Sequence, residues 1–236
     1  MRLPPIIDPL PQIVQVLVAI NHQKTYYVYH ILLMDAIDIF FQIAILVMSV
    51  VIHEVSHGVA AYVQGDKTAK YAGRLTLNPL PHIDPIGSIA LPLLLAVTGS
   101  PFMIGWAKPV PYNPYNLRNQ KWGSAIVGIA GPLSNILLAI SFGFVFRFGG
   151  DLLPLAFLQI CLTIAILNVV LAVFNMVPIP PLDGSKVLFS FFPYYWHRYE
   201  AILEQYGFIL LLMFIFFLSP VVSTVSGFII KLIIGI

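Results

Sequence analysis

The chain has 236 residues, 59% of them hydrophobic and only 9% charged, with a mean hydropathy of +0.90. Soluble domains carry about 25% charged residues, so these residues cannot cover a globular surface; a disordered chain and an ordinary soluble enzyme are both excluded. A formal net charge of +2 supplies no basic surface for nucleic acid. What remains is a polytopic membrane protein, and its single cysteine, Cys161 in an apolar run, excludes an intramolecular disulfide.

In chain order, Pro4, Pro5, Pro9 and Pro11 interrupt what a secretory signal would keep apolar. Residues 13–20 are too short to span a bilayer. Residues 21–30 mix Tyr26, Tyr27 and Tyr29 with polar groups, as interfacial segments do, and His22 and His30 have no partner at metal-ligand spacing. Residues 1–35 are therefore expected to form an N-terminal interfacial segment. Residues 36–63, 123–146 and 152–177 each predict a membrane helix, and residues 36–190 together a core of three such helices. Residues 191–236 are expected to supply one or two further membrane helices, because Ser219-Pro220 interrupts the apolar run 207–236. Tyr194, Tyr195, Trp196 and His197 predict an interfacial elbow before it. No fixed-period repeat and no low-complexity tract is visible.

The decisive residues are His53, Glu54 and His57 in His53-Glu54-Val55-Ser56-His57, near the end of the first long helix. Histidines at i and i+4 stand one above the other on one helix face, so both imidazoles can reach one tetrahedral zinc. A glutamate between them stands beside the water that such a metal activates and can take its proton. Ionisable groups inside an apolar helix are expensive in lipid and functional by default. Imidazole and carboxylate ligands favour zinc, although they also suit iron or manganese.

A hydrolytic zinc needs a third protein ligand. The residues alone leave two candidates. Asp183 follows the third long helix in a run broken by Pro178, Pro180 and Pro181, where irregular backbone can line a cavity. His82, in Pro81-His82-Ile83-Asp84-Pro85, is the rival.

Taken together, His53-Glu54-x-x-His57-Gly58, Gly131-Pro132-Leu133-Ser134-Asn135 and Asn175-x-x-Pro178-x-x-Pro181-Leu182-Asp183-Gly184 resemble the site-2 protease family of intramembrane zinc metalloproteases. The three motifs stand in the family's order on three successive helices, and the run Gly105-Trp106-Ala107-Lys108-Pro109-Val110-Pro111 resembles its small prokaryotic members. The resemblance implies an all-α helical bundle with a three-helix catalytic core and Zn2+ as cofactor. It makes His53, His57 and Asp183 the metal ligands and Glu54 the catalytic general base. Asn175 and Asn135 would be substrate-binding, holding the substrate backbone near the metal. The partners implied are the lipid bilayer and a membrane-protein or transmembrane-peptide substrate. The intervals are too short for the PDZ domain of roughly 90 residues that many members carry. Two other classes are a zinc-binding membrane protein without proteolysis and a metal transporter. Intact Glu54 argues against the first, and the presence of one ligand cluster rather than several against the second.

Three expectations concern layout. One metal joins His53, His57 and Asp183 only if helices 36–63 and 152–177 end on the same membrane face. Segment 86–106 must then be re-entrant, turning near Gly99-Ser100-Pro101. Lys67, Lys70, Arg74, Lys108, Arg118, Lys121, Lys186 and Arg198 fall on that face, several of them as interfacial anchors, which the positive-inside rule makes cytoplasmic in the cell membrane of a prokaryote. Lastly, residues 71–77 alternate, with Tyr71, Gly73, Leu75 and Leu77 on one side. They predict a short membrane-associated β segment to which an unwound substrate could add as a strand.

Overall fold

A computed structural model describes residues 36–98, 105–150, 152–192 and 197–235. The expected N-terminal interfacial segment, the turn at residues 99–101 and the aromatic elbow at residues 194–196 lie outside the described residues.

Helix α1 (Ala36–Val63) has the bounds its apolar run predicts. Gly65 stops it, taking a φ of +108° while its N–H donates to Tyr62 O at 3.0 Å. Next come the short α2 (Thr68–Tyr71), a π-helical turn (Pro85–Ala90) and α3 (Leu91–Val97). Asp84 starts the π-turn by accepting from the N–H groups of Ile86 (3.0 Å) and Gly87 (2.7 Å). The chain then returns to where it left. Trp106 N–H donates to Gly87 O at 3.1 Å, and Ser88 Oγ donates to Trp106 O at 2.8 Å. Both limbs of the expected re-entrant segment thus meet at one end of the bundle.

A long irregular strap leads from Gly105 to α4 (Gly123–Phe148), and α5 (Leu155–Asn175) follows. The chain continues through α6 (Asp183–Ser190), α7 (His197–Gln205) and α8 (Gly207–Ile234). Helix α4 is central, packing against α1, α5, α6 and α8. It starts beside the end of α1, where Gln64 Nε2 donates to Gly123 O at 3.3 Å. Helix α5 runs back toward that end. Helix α8 starts beside Pro180 and finishes against Arg147 near the end of α4, so it traverses the bundle once. It is bent by 66° between Ile209–Phe217 and Ser219–Ile234, where Pro220 removes a backbone donor. Among the described residues, three helices are long and apolar enough to cross a membrane (Phe41–Val63, α4 and α5), and bent α8 makes up to four. Away from the site, Ala139, Leu162, Val169, Ile233 and Ile234 form the apolar core.

The β segment is not found. Among the described residues there is no strand, and residues 71–77 form a helix end followed by turns and bends. Two local signals outweigh the alternation. Asp66 Oδ1 accepts from Thr68 N–H (3.1 Å) and Thr68 Oγ (2.6 Å), which nucleates α2. Gly73 then takes a φ of +65°, and Arg74 N–H closes the turn on Ala69 O at 2.9 Å. A chain turning here cannot present an edge.

Candidate metal centre and active site

The site is built from the last turns of α1, the first half of α4 and the start of α6. Helix α4 meets its neighbours through glycines. A Cβ on Gly131 would lie 2.5 Å from His57 Nε2 and 2.7 Å from His53 Cε1, so only glycine admits the two imidazoles. A Cβ on Gly128 would lie 3.0 Å from Asp183 O, which seats α6 close against α4. A Cβ on Gly184 would strike Met176 O at 2.2 Å, so Gly184 lets residues 176–182 fold back and deliver Asp183.

Both imidazoles are held from behind. His57 Nδ1–H donates to Val127 O at 2.7 Å, a partner that can only accept. His53 Nδ1 lies 2.6 Å from Asn135 Oδ1. The orientation of that amide follows from a buried relay. Asn168 Nδ2 donates to Ile164 O (2.8 Å) and to Ser49 Oγ (2.9 Å), so its Oδ1 accepts from Asn135 Nδ2 at 2.7 Å. Asn135 Oδ1 is left to accept, and His53 must donate through Nδ1. Both histidines therefore turn Nε2 lone pairs to the front.

There the lone pairs converge. His53 Nε2 and His57 Nε2 are 3.0 Å apart, and they lie 3.0 Å and 3.1 Å from Asp183 Oδ2. Three acceptors at such distances, all in residues under a tenth exposed, repel one another unless a cation joins them. Ligands at about 2.0–2.1 Å around a tetrahedral metal stand about 3.3 Å apart, so the donor set fits one ion. Among the described residues, no other group of three or more His, Cys, Asp or Glu offers ligand atoms this close. Lys186 Nζ, one turn along α6, donates to the free Asp183 Oδ1 at 3.1 Å and stands 5.6 Å over the Tyr112 ring. Burial alone would raise the Asp183 carboxyl, and the Lys186 ammonium bonded to its Oδ1 acts the other way, favouring the carboxylate. Burial would likewise depress the Lys186 ammonium, and the Asp183 carboxylate raises it.

The profile of peptidase family M50 matches residues 145–214, the stretch that carries Asp183. YwhC of Bacillus subtilis (strain 168), named as a proposed zinc metalloprotease, is 37% identical over 190 residues, covering 76% of this chain and 81% of that protein. The chain belongs to peptidase family M50. This is the site-2 protease family, and membership makes the M50 chain a zinc metalloprotease with apolar helices for an integral membrane protein. Rip2 of Mycolicibacterium smegmatis (strain ATCC 700084 / mc(2)155) carries the same kind of name and is 31% identical over 166 residues, 70% of this chain and 62% of that protein. Rip2 of Mycobacterium tuberculosis (strain ATCC 25618 / H37Rv) is 28% identical over 176 residues, 75% of this chain and 66% of that protein. The M50 chain thus spans under two thirds of either Rip2. No solved structure gives a significant match.

The remaining predicted residues separate. Glu54, half-buried, accepts from Val110 N–H through Oε2 at 2.8 Å. Asn135 is wholly buried, with its Oδ1 on His53 and its Nδ2 on Asn168. Asn175 Nδ2 donates to Leu171 O at 2.9 Å. His82 is not among the converging ligands. Its Nε2–H donates to Thr76 O (3.0 Å), and its Nδ1 faces Arg74 Nη2 at 3.4 Å. Arg74, expected as an interfacial anchor, is buried and donates to Lys108 O at 2.6 Å. Sequence reasoning missed Lys186, Asn168 and the Val110 N–H. An asparagine midway along an apolar helix was the readable sign for Asn168, and i+3 spacing from Asp183 was the sign for Lys186.

Proposed function

We propose that this chain is an intramembrane zinc endopeptidase hydrolysing peptide bonds within or near transmembrane segments of membrane-protein substrates. The observation that carries the reading is the trio of acceptors, His53 Nε2, His57 Nε2 and Asp183 Oδ2, within 3.1 Å of one another on the helix that carries Glu54 and the helix that follows α5. In this reading those three hold the metal, and Glu54 is the general base. His53, His57 and Asp183 would hold a zinc ion, which would supply Lewis acidity and make a water beside Glu54 more acidic. Glu54 accepts a proton from the attacking water as the C–O bond forms and the carbonyl π bond opens, then returns that proton to the amine nitrogen as the carbonyl re-forms and the C–N bond breaks. Asn135, behind His53, fixes the imidazole and its tautomer. Asn175 meets the substrate backbone through its Oδ1 and its second amide hydrogen, neither of which is engaged among the described residues.

The same reading assigns a membrane orientation. Lys67, Lys70, Lys108, Arg118 and Lys121 surround the end of the bundle that holds the site, against Arg147 and Lys231 near the other. That asymmetry supports a site facing the cytoplasm of a prokaryotic cell membrane.

Purified chain in proteoliposomes, incubated with transmembrane peptides and read by mass spectrometry, tests the proposal. Glu54→Gln is expected to keep its zinc and to lose hydrolysis by about 10²–10⁴-fold, whereas Asp183→Ala loses zinc. A zinc-loaded wild type that leaves every peptide intact, or a Glu54→Gln protein that cleaves like wild type, overturns it.

A further inference from the structure

We propose that the backbone N–H of Val110 is the positioning group for Glu54, and that the strap from Gly105 to Asn116 is built to deliver this one donor. The inference rests on the reading of Glu54 as general base. Val110 N–H meets Glu54 Oε2 at 2.8 Å across 56 positions of sequence. Its neighbours on both sides, Pro109 and Pro111, have no N–H, so Val110 supplies the one backbone donor in the tripeptide. Each proline also drives the residue before it toward extended backbone, which straightens Lys108 and Val110 along the strap.

The seat of this donor lies on the helix that carries the base. Val110 is buried, and a Cβ added to Gly58 would lie 2.9 Å from Val110 Cγ1. Gly58 is one turn beyond Glu54 on α1, so a single face carries the carboxylate and the notch that registers the strap against it. Anchors stand on both sides of the notch. Lys108 N–H donates to His82 O (2.9 Å), and buried Arg74 donates to Lys108 O (2.6 Å). Asp66 accepts from Asn113 N–H (2.7 Å) and Asn116 Nδ2 (3.0 Å).

The chemical consequence is orientation. A glutamate side chain at a helix surface samples several rotamers. A charge-assisted bond to Oε2 holds the carboxylate in one of them and leaves Oε1 as the oxygen that takes the proton. Val110 touches no reacting atom; it acts through Glu54.

Replacing the amide at position 110 by an ester, by incorporating the α-hydroxy analogue of valine, exchanges this N–H for oxygen and leaves the side chain in place. Val110→Pro removes the same donor by ordinary mutagenesis. In purified full-length chain, kcat for a transmembrane peptide is expected to fall roughly 10- to 100-fold with KM within about threefold and zinc stoichiometry unchanged. Val110→Ala, which keeps the N–H, restores most of kcat. A second readout needs no turnover. The infrared carboxylate band isolated by subtracting the Glu54→Gln spectrum should shift in the ester variant and not in Val110→Ala. A zinc-loaded ester variant with wild-type kcat, or with an unmoved band, overturns the proposal. A wild type inert toward every peptide overturns the protease reading instead and leaves the band to decide this one.

Discussion

At the site end of α4, a Cβ on Gly131 would lie 2.5 Å from His57 Nε2; twelve residues on, about 18 Å along the helix, a Cβ on Gly143 would lie 2.2 Å from Ile233 Cγ2. Both glycines do the same geometric job, letting another helix come closer than a methyl group allows. Lipid tails are as apolar as leucine, so packing of this kind, rather than escape from water, brings membrane helices together. What the notch admits differs. Gly143 receives an aliphatic side chain of α8 in an apolar core with Ala139 and Leu162. Gly131 receives two imidazoles whose far sides are held by Val127 O and by the Asn135–Asn168 relay. A packing fault at the first costs cohesion, and at the second it displaces ligand atoms. One helix therefore carries a mechanical end and a chemical end, built with the same residue.

Several measurements sharpen or break that contrast. The largest effect is expected from Gly131→Ala, which should weaken zinc binding roughly 100-fold or more, since it moves both histidines at once. Competition with a chromophoric chelator reads this, and unchanged affinity would show that the imidazoles have room to spare. Asn135→Leu keeps the volume but strips His53 of its acceptor; zinc affinity should fall about 10- to 100-fold. Combining it with Asn168→Leu should cost less than the sum of the two, because both break one relay, whereas additivity would mean the relay is not one unit. Gly143→Ala belongs to the other end. It should lower stability in mixed micelles by about 1–3 kcal/mol while zinc affinity stays within about threefold; an affinity loss matching that of Gly131→Ala would erase the distinction.

The smallest effect concerns Asp66, which ties the strap to the end of α1. Burial would raise its carboxyl, but Asn116, Thr68 and the Asn113 N–H outweigh this and hold it below the usual carboxylate range. A folded-state value below the unfolded one stabilises above the unfolded pKa and is lost as pH falls through the folded value. Asp66→Asn should therefore cost about 1–2 kcal/mol near neutrality. The gap between the two melting curves should stay constant down to about pH 5 and shrink below it. A gap independent of pH throughout would show that the charge contributes nothing.

Much of this was legible in the residues because it rests on periodicity. The long apolar runs gave α1 its bounds and put α4 and α5 within three residues of theirs. Spacing i, i+4 put His53 and His57 on one face. The partner of Asp183 Oδ1 could have been read from i+3 spacing on one helix, but the bond behind His53 and the donor to Glu54 were not legible, since each joins residues brought together only by folding. Residues 71–77 failed for the opposite reason: a real alternation was present, and Asp66 and Gly73 overrode it through hydrogen bonds that a two-residue period does not register.

The relay has a further consequence. Ser49, Asn135 and Asn168 lie on α1, α4 and α5, and all are buried at one level of the bundle. Sliding any of the three helices by a turn would strand amide groups in a medium with no water to receive them. The relay is a key cut at a single depth. When the surrounding bilayer is thinner or thicker than the apolar spans, the three helices cannot adjust by shearing past one another; they must tilt together. Hydrophobic mismatch is then absorbed as a rotation of the whole bundle, and the triangle of ligand atoms keeps its shape from one membrane to another.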